Sequence, residues 1–235
     1  MVSRAAIHRT LMAARNPERA RVSKSFFRTG KGDYGEGDRF IGVSVPVLRK
    51  LAREFSGASE RELAGLLKSP WHEERVIALL ILVRQYERGD DARRDAIYRF
   101  YLKNIKRVNN WDLVDLTAPN IVGAHLAVRD RGKLRTLARS RVLWERRIAV
   151  IATQHFIRNG EFDDTLELAE LLLDDPHDLM HKATGWMLRE VGKQDVGTLE
   201  RFLDAHATRM PRTMLRYAIE RLPERRRRHY LDRKG

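Results

Sequence analysis

The 235-residue chain has no cysteine. That excludes disulfide scaffolds, thiol nucleophiles and cysteine-ligated zinc or iron–sulfur sites, and it fits a reducing compartment. Long apolar runs are missing too. The longest, Val76 to Val83, spans eight residues, against the ~20 that a membrane-spanning helix needs. The opening stretch MVSRAAIHRTLMAARNPERAR lacks the apolar segment of a secretory signal, so a cytoplasmic chain without membrane association is expected. Alternating polar–apolar strand patterns are almost absent, and Val, Ile and Thr do not cluster between turn residues. Serines are few and none sits in a nucleophile elbow, and there is no Walker lysine motif.

What the chain does have is positive charge and helical periodicity. The formal charge is +14, which on a compact protein points to a polyanionic partner, nucleic acid first. Helix starts are marked along the chain: Ser3, Pro17, Pro46, Ser59 with Glu62 as a capping box, Pro70, and Asp90 or Asp91. Further helices fit 110–117, 119–129, 131–139, 142–158, 163–173, 177–192, 195–208 and 211–221. Five of the helical stretches repeat. Aligning HEERVIALLIL, WDLVDLTAP, WERRIAVIAT, MHKATGWML and TMLRYAIERL brings Ala78, Val114, Ala149, Ala183 and Ala218 into register, at intervals of 36, 35, 34 and 35. A period near 35 built from two short helices predicts an all-α superhelical solenoid. No linker interrupts it, so residues 1–235 read as a single domain with one extended concave surface.

The repeats carry basic residues at similar offsets: Arg75, Arg146, Arg147, Lys182 and Arg216. Repetition of this kind predicts either a basic stripe able to hold a nucleic-acid backbone or the solvated face of each amphipathic helix. Thr29 to Gly42 holds five of the fifteen glycines. Its Gly30-x-Gly32-x-x-Gly35 matches a dinucleotide fingerprint only superficially, since no strand precedes it. A flexible connector and a loop that approaches phosphate closely both fit this segment. His177 and His181 have the i, i+4 spacing of zinc helices but no evident third ligand. The terminal ERRRRHYLDRKG reads as a solvated basic tail.

Two segments could carry chemistry. In NNWDLVDLTAP, Trp111 and Asp115 lie one turn apart on one helical face, with Asn109 or Asn110 as the cap, while Asp112 points away. A carboxylate beside a large aromatic is a device for stabilising a positive charge, although a core tryptophan with a structural aspartate has the same pattern. In HKATGWMLREVGK, Lys182, Trp186 and Arg189 fall at i, i+4 and i+7 and share a face. That suits a charged polymer with apolar sugar faces, as it also suits a packed tryptophan with a basic edge. Gly185 costs about 1 kcal/mol against Ala inside a helix, so a close approach by a helix or a ligand is expected there.

With FFRTGKGDYGEGDRFIGVSVPVLRKLA and LWERRIAVIAT, these segments resemble the AlkD family of DNA alkylation repair glycosylases. The resemblance runs from about residue 20 to 195. It implies HEAT-like helical repeats and, in base excision repair, the hydrolysis of the N-glycosidic bond of N3- and N7-alkylated purines in duplex DNA, without pulling the base into a pocket. It also implies that Asp115 is the catalytic aspartate, that Trp111 and Trp186 are the cleft tryptophans, and that Arg147 and Arg189 bind DNA; Lys182 joins them from its place on the helix face. No cofactor, metal or obligate protein partner is implied. One departure stands out: some members place a tyrosine in the second helix, where this chain has Phe26 or Phe27.

The residues agree with this chemistry. An alkylated purine is already a cationic leaving group, so no protonating acid is needed, and the chain shows no paired acid and base. One carboxylate can stabilise the oxocarbenium-like sugar and orient water, while indole faces pack on deoxyribose. A non-catalytic solenoid that binds bent or damaged DNA is the alternative, but it would not need Asp115 and both tryptophans. A protein-binding scaffold would not call for a charge of +14.

Overall fold

The computed structural model describes residues 2–233; Met1 and the last two residues of the basic tail, Lys234 and Gly235, lie outside the described residues. Among the described residues every regular element is helical, and the one β-type contact is an isolated bridge between Arg39 and Trp71. The architecture is the all-α helical-repeat fold that the periodicity implies. The chain packs as two compact units, Met1–Thr117 and Ala118–Gly235.

The first unit holds α1 (Arg4–Ala13), α2 (Pro17–Phe26), α3 (Val45–Glu54), α4 (Glu60–Leu67), α5 (His72–Arg88), α6 (Asp91–Lys103), a 3-10 turn at Ile105–Arg107, and α7 (Trp111–Asp115). The marked starts are used as caps. Ser3 accepts from the Ala6 N–H at 3.2 Å, Asp90 from Arg93 at 2.8 Å, and Ser59 with Glu62 forms the reciprocal box. Pro17 follows the cap Asn16. The apolar run of α5 is the unit's centre, and it packs against α1, α3, α4, α6 and α7. Val76, Ile77, Leu79, Ile81 and Leu82 are buried, each contributing about 1.5–3 kcal/mol of apolar burial.

The second unit begins with a π-helical turn, Pro119–Gly123, and continues through α8 (Ala124–Leu126), α9 (Gly132–Ala138), α10 (Leu143–Ala152), α11 (Gln154–Arg158), α12 (Asp163–Leu171), α13 (Asp178–Gln194), α14 (Val196–His206), α15 (Arg212–Ala218) and α16 (Glu224–Asp232). The helix expected over 142–158 is interrupted at Thr153, which lies between α10 and α11 and whose hydroxyl donates back to the Val150 carbonyl at 2.7 Å. The helix expected over 119–129 starts wide for a packing reason. A Cβ on Gly123 would stand 2.2 Å from the Ala152 carbonyl oxygen, so this turn lies hard against the end of α10. The basic tail is largely exposed, as expected, but it forms α16, which buries Tyr230, whose hydroxyl reaches Asp204 at 3.3 Å.

Within each unit the repeat has a physical basis. Ala78, Val114, Ala149, Ala183 and Ala218 are each 1% exposed or less, so the register found in the sequence is the register of the core. The turns before α5, α10 and α13 share a second device. The N–H groups of Trp71, Val142 and His177 donate to the side chains of Ser69, Ser140 and Asp175 at 3.1, 3.0 and 2.9 Å. Six residues past each of those acceptors, Arg75, Arg146 and His181 reach back and donate to the same residue's carbonyl at 3.4, 3.0 and 2.5 Å. Orphan carbonyls at the helix junctions are thereby satisfied. Arg75 also pairs with Asp38 at 2.6 Å and Arg146 with Asp175 at 2.6 Å. The repeating basic offsets are therefore not one outward stripe: Arg75 and Arg147 are buried, Arg146 is half-buried, and Arg216 is exposed.

The close approach expected at Gly185 is made by a helix. A Cβ there would lie 2.4 Å from the Met214 carbonyl oxygen and 2.6 Å from the Tyr217 Cβ of α15. Gly185→Ala must displace that backbone, and a loss of about 1–3 kcal/mol is expected. Gly57→Ala, whose Cβ would meet nothing within 4 Å, is expected to stay within about 0.5 kcal/mol of wild type. Urea unfolding of the two variants checks the contrast.

Candidate functional site

α7 is only five residues long, and it carries both Trp111 and Asp115. Asn110 is its cap, its side-chain oxygen accepting from the Trp111 N–H at 2.8 Å. The half-buried Trp111 ring stacks on Phe27, with centroids 5.1 Å apart and planes 15° from parallel, and Phe26 meets it edge-on at 5.6 Å. The stack continues from Phe27 to Phe40 at 5.2 Å, and from Phe40 to His72 at 4.9 Å. Pairs of this kind contribute about 0.5–1.5 kcal/mol beyond their burial. Phe26 remains 63% exposed.

The glycine-rich loop builds the floor beneath these rings. Arg28 takes φ +47° just after α2, and the chain folds back so that the Gly35 N–H donates to the Arg28 carbonyl at 3.1 Å. A Cβ on Gly35 would lie 2.4 Å from the Phe27 carbonyl oxygen. At the loop's far end the N–H groups of Ile41 and Gly42 donate to the buried Glu73 carboxylate at 2.9 and 2.7 Å. The segment is thus a built structural loop closing on the first turn of α5, and the reading as a flexible connector does not hold.

Beneath the rings lies a buried ionic chain. His72 Nε2 donates to Asp112 at 2.7 Å and its Nδ1 meets Asp38 at 3.1 Å, while Arg75 donates to the same Asp38 oxygen at 2.6 Å. Burial works against a charged imidazole here. The Asp112 carboxylate, helped by Asp38, more than offsets it and raises the His72 pKa to about 9. Burial likewise opposes the Asp38 carboxylate, and its bonds to His72 and Arg75 outweigh that and hold its pKa below the usual range. Asp112 is therefore the anchor of α7 and not a partner of Trp111. Spacing reasoning missed this chain because His72 lies 34 residues from Asp38 and 40 from Asp112. The available sign was an imidazole at the start of the most apolar helix. Asp115 is half-buried. Burial pushes the Tyr101 hydroxyl up, a hydrogen bond with Thr117 opposes the shift, and the charge of Asp115 adds to it, so Asp115 sits close to this buried phenol.

In the second unit, Lys182, Trp186 and Arg189 line α13. Each has an intramolecular partner: Lys182 pairs with Asp178 at 2.7 Å, the Trp186 indole donates to Glu190 at 3.0 Å, and Arg189 pairs with Glu220. Arg147 is 5% exposed, and one of its nitrogens donates to the Leu179 carbonyl at 2.6 Å. His177 and His181 are used on backbone groups, the first accepting from Leu179 at 3.1 Å and the second donating to Asp175. Among the described residues no three His, Cys, Asp or Glu side chains gather as metal ligands, and no helix is long and apolar enough to cross a membrane. Trp111 and Asp115 thus belong to the first unit and the other four site residues to the second.

A family model described as DNA alkylation repair enzyme matches residues 7–222. The chain belongs to that family. A solved structure described as a predicted DNA alkylation repair enzyme from Enterococcus faecalis is similar to 89% of this chain and 97% of its own, with a TM-score of 0.67 and 17% identity, a likeness that speaks for the fold. No curated protein matches the chain significantly.

The ionic chain has a pH signature. A folded-state pKa of about 9 for His72 stabilises the protein fully below the unfolded value near 6.5, and that stabilisation is lost as pH rises through about 9. It amounts to about 3 kcal/mol. In urea unfolding at pH 6.5, His72→Gln should be the less stable protein, and its deficit should shrink by up to that amount by pH 10. A deficit that does not change with pH would show that His72 is neutral in the fold.

Proposed function

We propose that the protein is an alkylpurine DNA glycosylase that hydrolyses the N-glycosidic bond of N3- and N7-alkylated purines in duplex DNA, with Asp115 as its catalytic carboxylate. The observation that carries this reading is α7 itself. A five-residue helix in a protein of this family holds an aspartate one turn from a half-buried indole, and the His72–Asp112 bond fixes that helix.

The chemistry follows from the lesion. Alkylation at N3 or N7 places a positive charge on the base, which departs as a neutral purine with the electrons of the glycosidic bond. The charge passes to the sugar, and water adds there, leaving an abasic site and a proton. A fixed negative charge lowers this barrier because the charge to be stabilised moves onto the sugar in the transition state. Trp111 offers a ring face, itself backed by Phe27, for packing on deoxyribose. Trp186, Lys182 and Arg189 form the corresponding surface on α13. Lys182 and Arg189 meet phosphate by exchanging Asp178 and Glu220 for it, while Arg147, buried against the Leu179 carbonyl, positions α13 and does not itself reach DNA. Duplex DNA is the partner in this reading, no cofactor takes part, and the protein acts in the cytoplasm on the nucleoid.

Asp115→Asn keeps the shape and removes the charge. Single-turnover release of 7-methylguanine or 3-methyladenine from alkylated duplex should slow by roughly 10²–10³, with binding changed far less. A variant that excises at the wild-type rate makes Asp115 structural and leaves DNA binding without chemistry as the better reading. Lys182→Ala and Arg189→Ala should each flatten the slope of log K against log salt by about 0.9 for duplex binding. Unchanged slopes in both would place the phosphate contacts elsewhere.

A further inference from the structure

The first unit has a concavity that the proposed chemistry does not use. A cleft of about 440 Å³ opens where the end of α1, one side of α2 and the end of the glycine-rich loop meet, and the side chains that matter in it are Arg15, Arg21, Lys24, Arg39, Phe40 and Trp71. Its size is that of a small-molecule pocket. Its charge is of one sign. Among the described residues the four cations of this cleft pair with no carboxylate, no acidic side chain lines it, and all four are exposed. The Glu73 carboxylate behind Ile41 is already engaged by the N–H groups of Ile41 and Gly42.

The walls are apolar and held in place. Arg39 is bridged on both sides, its N–H donating to the Pro70 carbonyl at 3.0 Å and its carbonyl accepting from His72 at 2.8 Å. The same bridge positions Trp71. Phe40 is fixed by its stack on Phe27 and His72. A flat apolar wall ringed by unpaired cations fits a group that combines an aromatic face with phosphate. Within a duplex the base faces are covered by their neighbours, so only an unpaired base can use such a wall. The cations stand exposed on three different segments around the opening, which suits a phosphodiester chain passing across it better than one compact terminal phosphate.

We propose that this cleft binds an unpaired nucleotide of a DNA strand, with its base against Trp71 and its flanking phosphates on Arg15, Arg21, Lys24 and Arg39. The proposal rests on the DNA-repair reading only in taking the strand to be DNA. It gives the protein a means of engaging frayed, gapped or single-stranded ends beside the duplex it repairs.

The test compares the full-length protein's affinity for an unmodified blunt duplex and for the same duplex carrying a short single-stranded overhang, at one salt concentration. Wild type should bind the overhang duplex roughly tenfold more tightly. The double variant Arg21→Glu/Lys24→Glu should lose that preference. Arg61→Glu/Lys68→Glu makes the same charge change on and just beyond α4, and it should weaken both duplexes alike and keep the preference. A wild-type preference below twofold overturns the proposal, as does its survival in Arg21→Glu/Lys24→Glu. Millimolar thymidine monophosphate should weaken the preference where equal inorganic phosphate does not; equal weakening by both would show that the base is not read and would overturn the proposal. Release of 7-methylguanine from blunt alkylated duplex under saturating protein is measured in parallel and should be unchanged by Arg21→Glu/Lys24→Glu. Intact excision without any overhang preference sinks this inference alone, whereas absent excision in wild type sinks the glycosylase reading.

Discussion

The imidazole of His72, held between the carboxylates of Asp38 and Asp112 inside the first unit, fixes the parts of that unit that matter. An unpaired charge at such depth would be costly, and the cost is met only because both ring nitrogens of His72 have partners. Hydrogen bonds of this kind are directional, so they set position as well as energy. Asp38 brings in the glycine-rich loop, His72 stands at the first turn of α5, and Asp112 belongs to α7. A helix of five residues does not persist alone in water. The orientation of Trp111 and Asp115 is therefore inherited from the residue between them, Asp112, and from the ring stack that runs through Phe27 and Phe40 to the same imidazole.

The second unit positions its candidate residues by backbone contact. Gly185 allows α15 to lie against α13, and Arg147 ties the start of α13 to α10 through the Leu179 carbonyl. The outward side chains of α13 are then held by carboxylates, with Lys182 on Asp178 and Arg189 on Glu220. At Lys182, whose pair is exposed, exchanging a carboxylate for a phosphate changes little energy by itself, since such pairs contribute about 0–1 kcal/mol. What it changes is which anions can compete. A partner gains only by presenting several phosphates in fixed geometry, which a duplex does and a free anion does not.

How far the sequence carried the interpretation depended on the range of the interactions involved. The five aligned core positions were legible because burial of a small residue against a neighbouring helix repeats at a fixed interval. Trp111 and Asp115 were legible as one helical face for the same local reason. The His72 chain was not, because its partners arrive from loops and helices more than thirty residues away. Arg75 and Arg147 looked like members of an exposed stripe because helical periodicity reports angular position. It does not report whether a neighbouring turn covers that position and supplies acceptors. The glycine-rich loop was ambiguous because composition shows that backbone freedom is needed and not what the freedom is for. Here it lets the chain pass beneath Phe27.

The back-reaching bonds at the helix junctions also bear on how the chain can change in length. Ser69 with Arg75, Ser140 with Arg146 and Asp175 with His181 each span six residues, and each carries a cap and its return tie in that span. Adding or deleting one residue inside it would rotate the tying side chain by about 100° around its helix and leave a junction carbonyl without a donor. The repeat intervals nevertheless run 36, 35, 34 and 35. At these three junctions the ties act as fixed rulers, and changes of length there are tolerated only in the turns outside them.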